Sequence, residues 1–219
     1  MTQLALLFDL DGTLIDSIDL LVQSMEYAFA ERTFRPTVPA WTAGIGKPLR
    51  IQIAEWADGG DDVEMLVSRY REFQANHLER LTTIYPNVLE TLTWAKERGH
   101  ALGLVTSKGL GMTERSLSHV GLAGMFEVEV TVESTTRHKP LGDPVLFALD
   151  QLKIPADRAL FVGDSTHDMH AGKAAGVQTA AATWGPFSSD ELRPTEPSFW
   201  LQGMPDLRPI VESMERAAR

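Results

Sequence analysis

The chain contains no cysteine, which excludes a disulfide framework, a thiolate nucleophile, a zinc–thiolate site and an iron–sulfur cluster. Positive charge is scarce as well: 20 Lys and Arg stand against 30 Asp and Glu, a net charge of -10. Such a surface repels nucleic acid and anionic lipid, so neither is expected as a partner. Long apolar runs are also missing. The N-terminal run Leu4–Phe8 ends at Asp9 and follows no basic residue, which is too short for a signal peptide or a membrane span. The expectation is a soluble, cytoplasmic protein, and the lack of thiols fits a reducing compartment.

With 219 residues, 43% of them hydrophobic, there is enough chain for one proper core and a smaller additional unit. Leu4–Leu10 is a compact apolar run of the kind that forms a buried parallel strand. From 17 to 80 the apolar spacing is helical, broken at Pro36 and Pro39, with Asp61 or Asp62 a natural N-cap for the last piece; no strand is expected between 15 and 83. From 84 onward, helices alternate with short apolar strands at 101–106, 127–132, 159–163 and 177–183. Alternation of this kind predicts an α/β fold, a doubly wound parallel sheet with right-handed crossovers. Because the first strand precedes the helical stretch, that stretch must be inserted. The expected domains are an α/β core of 1–14 plus 84–219 and an all-helical cap of 15–83.

Ligands of open parallel sheets bind beyond the carboxyl ends of the strands. Those ends carry Asp9 and Asp11, Thr106 and Ser107, His138 and Lys139, and Asp164 with Asp168 close behind. Four carboxylates sharing one crevice with Lys139 would repel one another, and a hard cation with oxygen ligands, Mg²⁺, relieves that repulsion. A carboxylate held there can attack phosphorus and divide one difficult step into two. Asp9 is the natural nucleophile, and Asp11, two residues on, the group that gives and later takes a proton. Thr106 and the Ser107 N–H can hold phosphate oxygens, and Lys139 can neutralise charge and steady Asp9. Asp164 completes the metal site; Asp168 either joins it or supports it from behind.

These residues lie in stretches that resemble the haloacid dehalogenase (HAD) superfamily in its phosphatase branch. FDLDGTLIDS at 8–17, LVTSK at 104–108, HKP at 138–140 and VGDSTHDMHAGKAAG at 162–176 look like its four motifs, in order and with fitting spacing. The likeness covers about two thirds of the chain and is closest to phosphoglycolate phosphatase-like, C1-capped members, whose helical cap follows the first motif. It implies a Rossmann-like core, Mg²⁺, Asp9 as nucleophile, Asp11 as acid and base, and metal ligation by Asp9, the backbone carbonyl of Asp11, and Asp164. The TAGIGKPLR stretch looks like the cap loop that dips toward the core in such relatives, which makes Lys47 and Arg50 candidate substrate contacts. One departure is Pro140-Leu-Gly-Asp143-Pro144, where relatives often carry a P-x-P.

The expected activity is Mg²⁺-dependent hydrolysis of a small anionic phosphomonoester through an aspartyl-phosphate, with 2-phosphoglycolate the leading substrate. A sugar-phosphate mutase, a pyrophosphatase or a nucleotidase of the same superfamily are alternatives, as is a non-catalytic binding module. A monomer and a homodimer fit the sequence equally. His138, His167 and His170 are read as orienting or surface groups, and Trp41, Trp56, Tyr70 and Phe73 as packing within the cap.

Overall fold

A computed structural model of the protein describes residues 3–217, so Met1, Thr2, Ala218 and Arg219, the ends of the expected core span, lie outside the described residues. The first strand, β1 (Ala5–Phe8), is buried along its whole length. Its alternation divides the core. Leu4, Leu6 and Phe8 face one apolar cluster, and Ala5 and Leu7 face another, as the two-residue period of a strand requires.

Next come β2 (Ile15–Asp16) and four helices: α1 (Ile18–Ala28), α2 (Val38–Thr42), α3 (Leu49–Ala54) and α4 (Gly60–Leu81). The chain returns through β3 (Thr83–Ile84), which pairs antiparallel with β2, Ile15 opposite Ile84 and Asp16 opposite Thr83. This pair overturns the expectation that no strand lies between 15 and 83. Two residues per strand are too few to show any period in sequence. The helices bury their own cluster, with Met25, Phe29, Trp41, Ile53, Leu66 and Tyr70 at its centre. Neither Asp61 nor Asp62 caps α4: the N-cap is Gly59, at φ +113°, and both acids sit in the first turn. There Asp62 accepts the Asp58 N–H at 2.8 Å and pairs with Arg32, so its carboxylate serves the loop instead of the cap.

The remainder alternates as predicted: α5 (Val88–Glu97), β4 (Ala101–Val105), α6 (Leu110–His119), β5 (Val128–Val130), α7 (Asp143–Leu152), β6 (Ala159–Gly163), α8 (Thr166–Ala174), β7 (Gln178–Ala182), α9 (Ser189–Leu192), β8 (Phe199–Leu201) and α10 (Leu207–Ala217). All six strands of the main sheet run parallel, in the order β5-β4-β1-β6-β7-β8. The chain builds outward from β1 through β4 to β5, then returns to place β6 on β1's other side. That reversal leaves a crevice at the carboxyl end of β1. Gly142, inside the departure from P-x-P, caps α7 where a Cβ would stand 2.8 Å from the Ala175 nitrogen. The small residue lets α7 start against the end of α8.

Candidate active site

Each strand end around the crevice contributes a polar side chain at the point where its ladder stops. Asp9 follows β1, its N–H still bonded to the Val162 carbonyl at 2.9 Å, so its backbone is fixed by the sheet. Thr106 follows β4 and is fixed in the same way by Val130 at 2.9 Å. Asp164 follows β6, and Ser165 and Asp168 form a reciprocal capping box at the start of α8.

Oxygens of Asp9, Asp164 and Asp168 lie within 4.8 Å of one another, all buried. Lys139 reaches into this group, 3.0 Å from Asp9 and 2.6 Å from Asp168. Burial, with the Asp168 carboxylate close by, pushes the Asp9 carboxyl up to about 7 against the opposing pull of Lys139. Asp164 is raised too, by burial first and then by Asp168 and Asp9. Burial acts alone to lower Lys139, but Asp168 and Asp9 outweigh it, and the amine is held firmly charged. One ammonium therefore faces three carboxylates, and the group stays short of positive charge.

Those three acids are not equivalent. Asp168 has both oxygens occupied: Oδ1 accepts from Lys139, and Oδ2 accepts the Ser165 N–H at 3.0 Å and hydroxyl at 2.5 Å. Asp164 Oδ1 accepts the Thr13 hydroxyl at 2.7 Å, while its buried Oδ2 has no partner. Two glycines press against this carboxylate. A Cβ at Gly12 (φ +82°) would meet Asp164 Oδ2 at 2.4 Å, and one at Gly185 would meet the Asp164 Cβ at 2.5 Å. An orphaned carboxylate oxygen in a cradle kept clear of side chains, beside a second buried acid, fits a small cation with oxygen ligands.

Asp11 stands apart from the acid cluster. Its carboxylate is clasped by Lys108 Nζ, at 2.6 and 2.8 Å, and by the Ser17 hydroxyl at 2.5 Å. Its backbone carbonyl accepts no hydrogen bond among the described residues. Lys108 is the residue that sequence reasoning missed. It ends the LVTSK stretch, yet nothing local indicates that its amine reaches back to the first strand end. Thr13, which orients Asp164, was missed for the same reason.

A cavity of about 590 Å³ lies against Asp9, Asp11, Thr106, Ser107 and Lys108, with its other wall formed by the helical segment. The two candidate substrate contacts both line it but are already paired: Lys47 with Glu55 at 2.6 Å, and Arg50 with Glu64. The Ser107 hydroxyl donates across to the Gly46 carbonyl at 2.6 Å. Trp41 and Tyr70 pack in the helical cluster as expected, yet they also line the cavity. Burial lowers the affinity of His167 for a proton, and its ring lies beside Gly46.

The fold and site together define a doubly wound α/β protein whose charged groups converge where the strand order reverses. The chain belongs to the haloacid dehalogenase-like hydrolase family, whose model matches residues 6–182. A pyrophosphatase, PpaX, from Bacillus cereus is 34% identical over 96% of this chain and 97% of its own length. Among solved structures, a hydrolase from Pseudomonas syringae superposes with a TM-score of 0.87 at 21% identity, over 96% of this chain and 99% of that one. A predicted phosphoglycolate phosphatase from Haemophilus somnus gives 0.86 at 24%, over 96% and 99%. At these identities the two structures speak for the fold. Among the described residues, no helix is long and apolar enough to cross a membrane.

Proposed function

We propose that the protein is a Mg²⁺-dependent phosphatase that works through an aspartyl-phosphate on Asp9. The observation that carries this reading is the setting of Asp9: fixed at the end of the central strand, 3.0 Å from a buried lysine, and facing the cavity. In the first half-reaction an Asp9 oxygen bonds to phosphorus as the bond to the leaving oxygen breaks, and Asp11 gives that oxygen a proton. In the second, Asp11 takes a proton from the water that attacks phosphorus, and the bond to Asp9 breaks. Lys108 and Ser17 clasp the Asp11 carboxyl in the present arrangement, so its delivery to the leaving group requires that clasp to loosen.

Thr106 and the Ser107 N–H border the cavity where the phosphate oxygens would sit, and Lys139 offsets the charge that builds on them. Asp9, Asp164 and the Asp11 carbonyl would hold Mg²⁺, which when bound neutralises the acids and draws charge from the phosphate. Asp168, with no oxygen to spare, is a positioning residue for Lys139. The helical segment, read as a cap of 15–83 over a core of 1–14 and 84–219, would exclude water from the site.

A second reading, hydrolysis of pyrophosphate, is supported by the name of the Bacillus cereus relative. One assay addresses both. Phosphate release is measured with Mg²⁺ from phosphoglycolate, pyrophosphate, sugar phosphates and nucleoside monophosphates, with the native chain and with Asp9→Asn. Release from at least one substrate, lost by more than about a thousandfold in Asp9→Asn, is expected. Full turnover by the variant refutes Asp9 as nucleophile, and phosphoryl return to a sugar in place of free phosphate indicates a mutase.

A further inference from the structure

Among the polar groups that line the cavity, Gln74 differs from the rest. It is only 5% exposed, and its side chain makes no hydrogen bond among the described residues. The other buried glutamine there, Gln52, donates to the Trp41 carbonyl at 2.7 Å. The amide is not sealed from solvent, so its oxygen and nitrogen stay open on the cavity wall, where a ligand could meet them.

Arg71, three residues earlier on α4 and so on the same face of that helix, lines the cavity with it. The remaining cations of the cavity are engaged: Lys47 by Glu55, Arg50 by Glu64 and Lys108 by Asp11. Arg71 forms no ion pair among the described residues. Glu133, the acid that feels its charge, is held by the Thr131 hydroxyl at 2.8 Å and the Leu110 N–H at 3.0 Å. The cavity also has apolar lining from Leu21, Ile45, Leu49, Leu110 and Met112.

We propose that Arg71 and Gln74 read the leaving group, and that the substrate is an organic phosphomonoester whose leaving group joins an apolar body to an oxyanion. The proposal rests on the phosphatase reading and deepens it. A cavity of about 590 Å³ is the size that encloses an organic ligand, and pyrophosphate or phosphoglycolate brings no apolar body to its walls. The guanidinium supplies charge and a planar fork of donors, and the amide supplies a further donor.

The test uses the native protein with Mg²⁺ and two phosphonates whose P–C bond resists hydrolysis, benzylphosphonate and 4-carboxybenzylphosphonate. They differ only in the carboxylate. Calorimetry is expected to show the carboxylated ligand binding at least about tenfold more tightly. Arg71→Met and Gln74→Met should each bring that ratio close to one. Arg71 is exposed, so its variant decides the matter alone if Gln74→Met fails to fold. Equal affinities in the native protein overturn the proposal, as does a ratio that survives the substitutions, or pyrophosphate binding more tightly than both ligands. Failure of the phosphatase reading shows separately, as no phosphate release from benzyl phosphate or 4-carboxybenzyl phosphate.

Discussion

At the strand ends Asp9, Asp164, Asp168 and Lys139 are all buried, whereas Lys47 and Arg50 on the helical wall keep side-chain exposures of 29% and 61%. Both regions are rich in charge, but only the first cannot borrow solvent to screen it. Buried charges must be answered by one another or by a bound ion, which makes their positions exacting and shifts their proton affinities. Charges on the wall find a neighbour of opposite sign for little gain, so they can change with the ligand the cavity takes. Among its charged groups the molecule thus separates by depth those suited to chemistry from those suited to recognition.

Removing Lys139 should break this contrast most severely. Lys139→Met strands two buried acids and should cost roughly 3 kcal/mol of stability, read by urea unfolding, together with loss of phosphate release. Metal-free protein should also show the strain of the buried acids through pH. A carboxyl raised in the folded state keeps its proton where the unfolded chain has lost it. The stability that Asp9 contributes is therefore full below its ordinary 3.8 and fades as pH rises through about 7. Mg²⁺ should accordingly raise the melting temperature by several degrees at pH 8 and by little at pH 5, and Asp164→Asn should remove that increment.

A smaller effect is expected where the two regions meet. Lys108→Met leaves the largely buried Asp11 carboxyl with Ser17 alone: urea unfolding should show a loss of about 1–2 kcal/mol, less than at Lys139, and kcat should fall about tenfold because Asp11 loses its set position, while Lys108→Arg restores part of both. Least of all should follow from Arg50→Ala. Its pair with Glu64 is exposed on both sides, so denaturation should shift by less than about 0.5 kcal/mol.

The same division governs what can be read from the chain before folding. Strand β1 and the acids after it are legible because their signals are local: an apolar run, then polar residues at fixed offsets. The alternation from 84 onward is legible because each strand carries its own period. The wall is not. Which side of α4 meets a ligand depends on how α1 and α3 pack against it, so Lys47 and Arg50 stood out only through the likeness of TAGIGKPLR to a cap loop, and nothing local set Arg71 and Gln74 apart. Lys108 was hidden by distance, since its partner lies 97 residues away in sequence. The capping expectation at Asp61 and Asp62 failed because a left-handed glycine can open a helix without a side-chain acceptor.

The hydrogen bond from Ser107 to the Gly46 carbonyl sets two events in competition. A hydroxyl has a single proton to offer, and here a peptide oxygen of the opposite wall already holds it. Any oxyanion that draws on that hydroxyl must first take it from Gly46, so filling the pocket loosens one thread of its own closure. Occupancy and adhesion are opposed at this point, and departure of the product would hand the proton back to the wall.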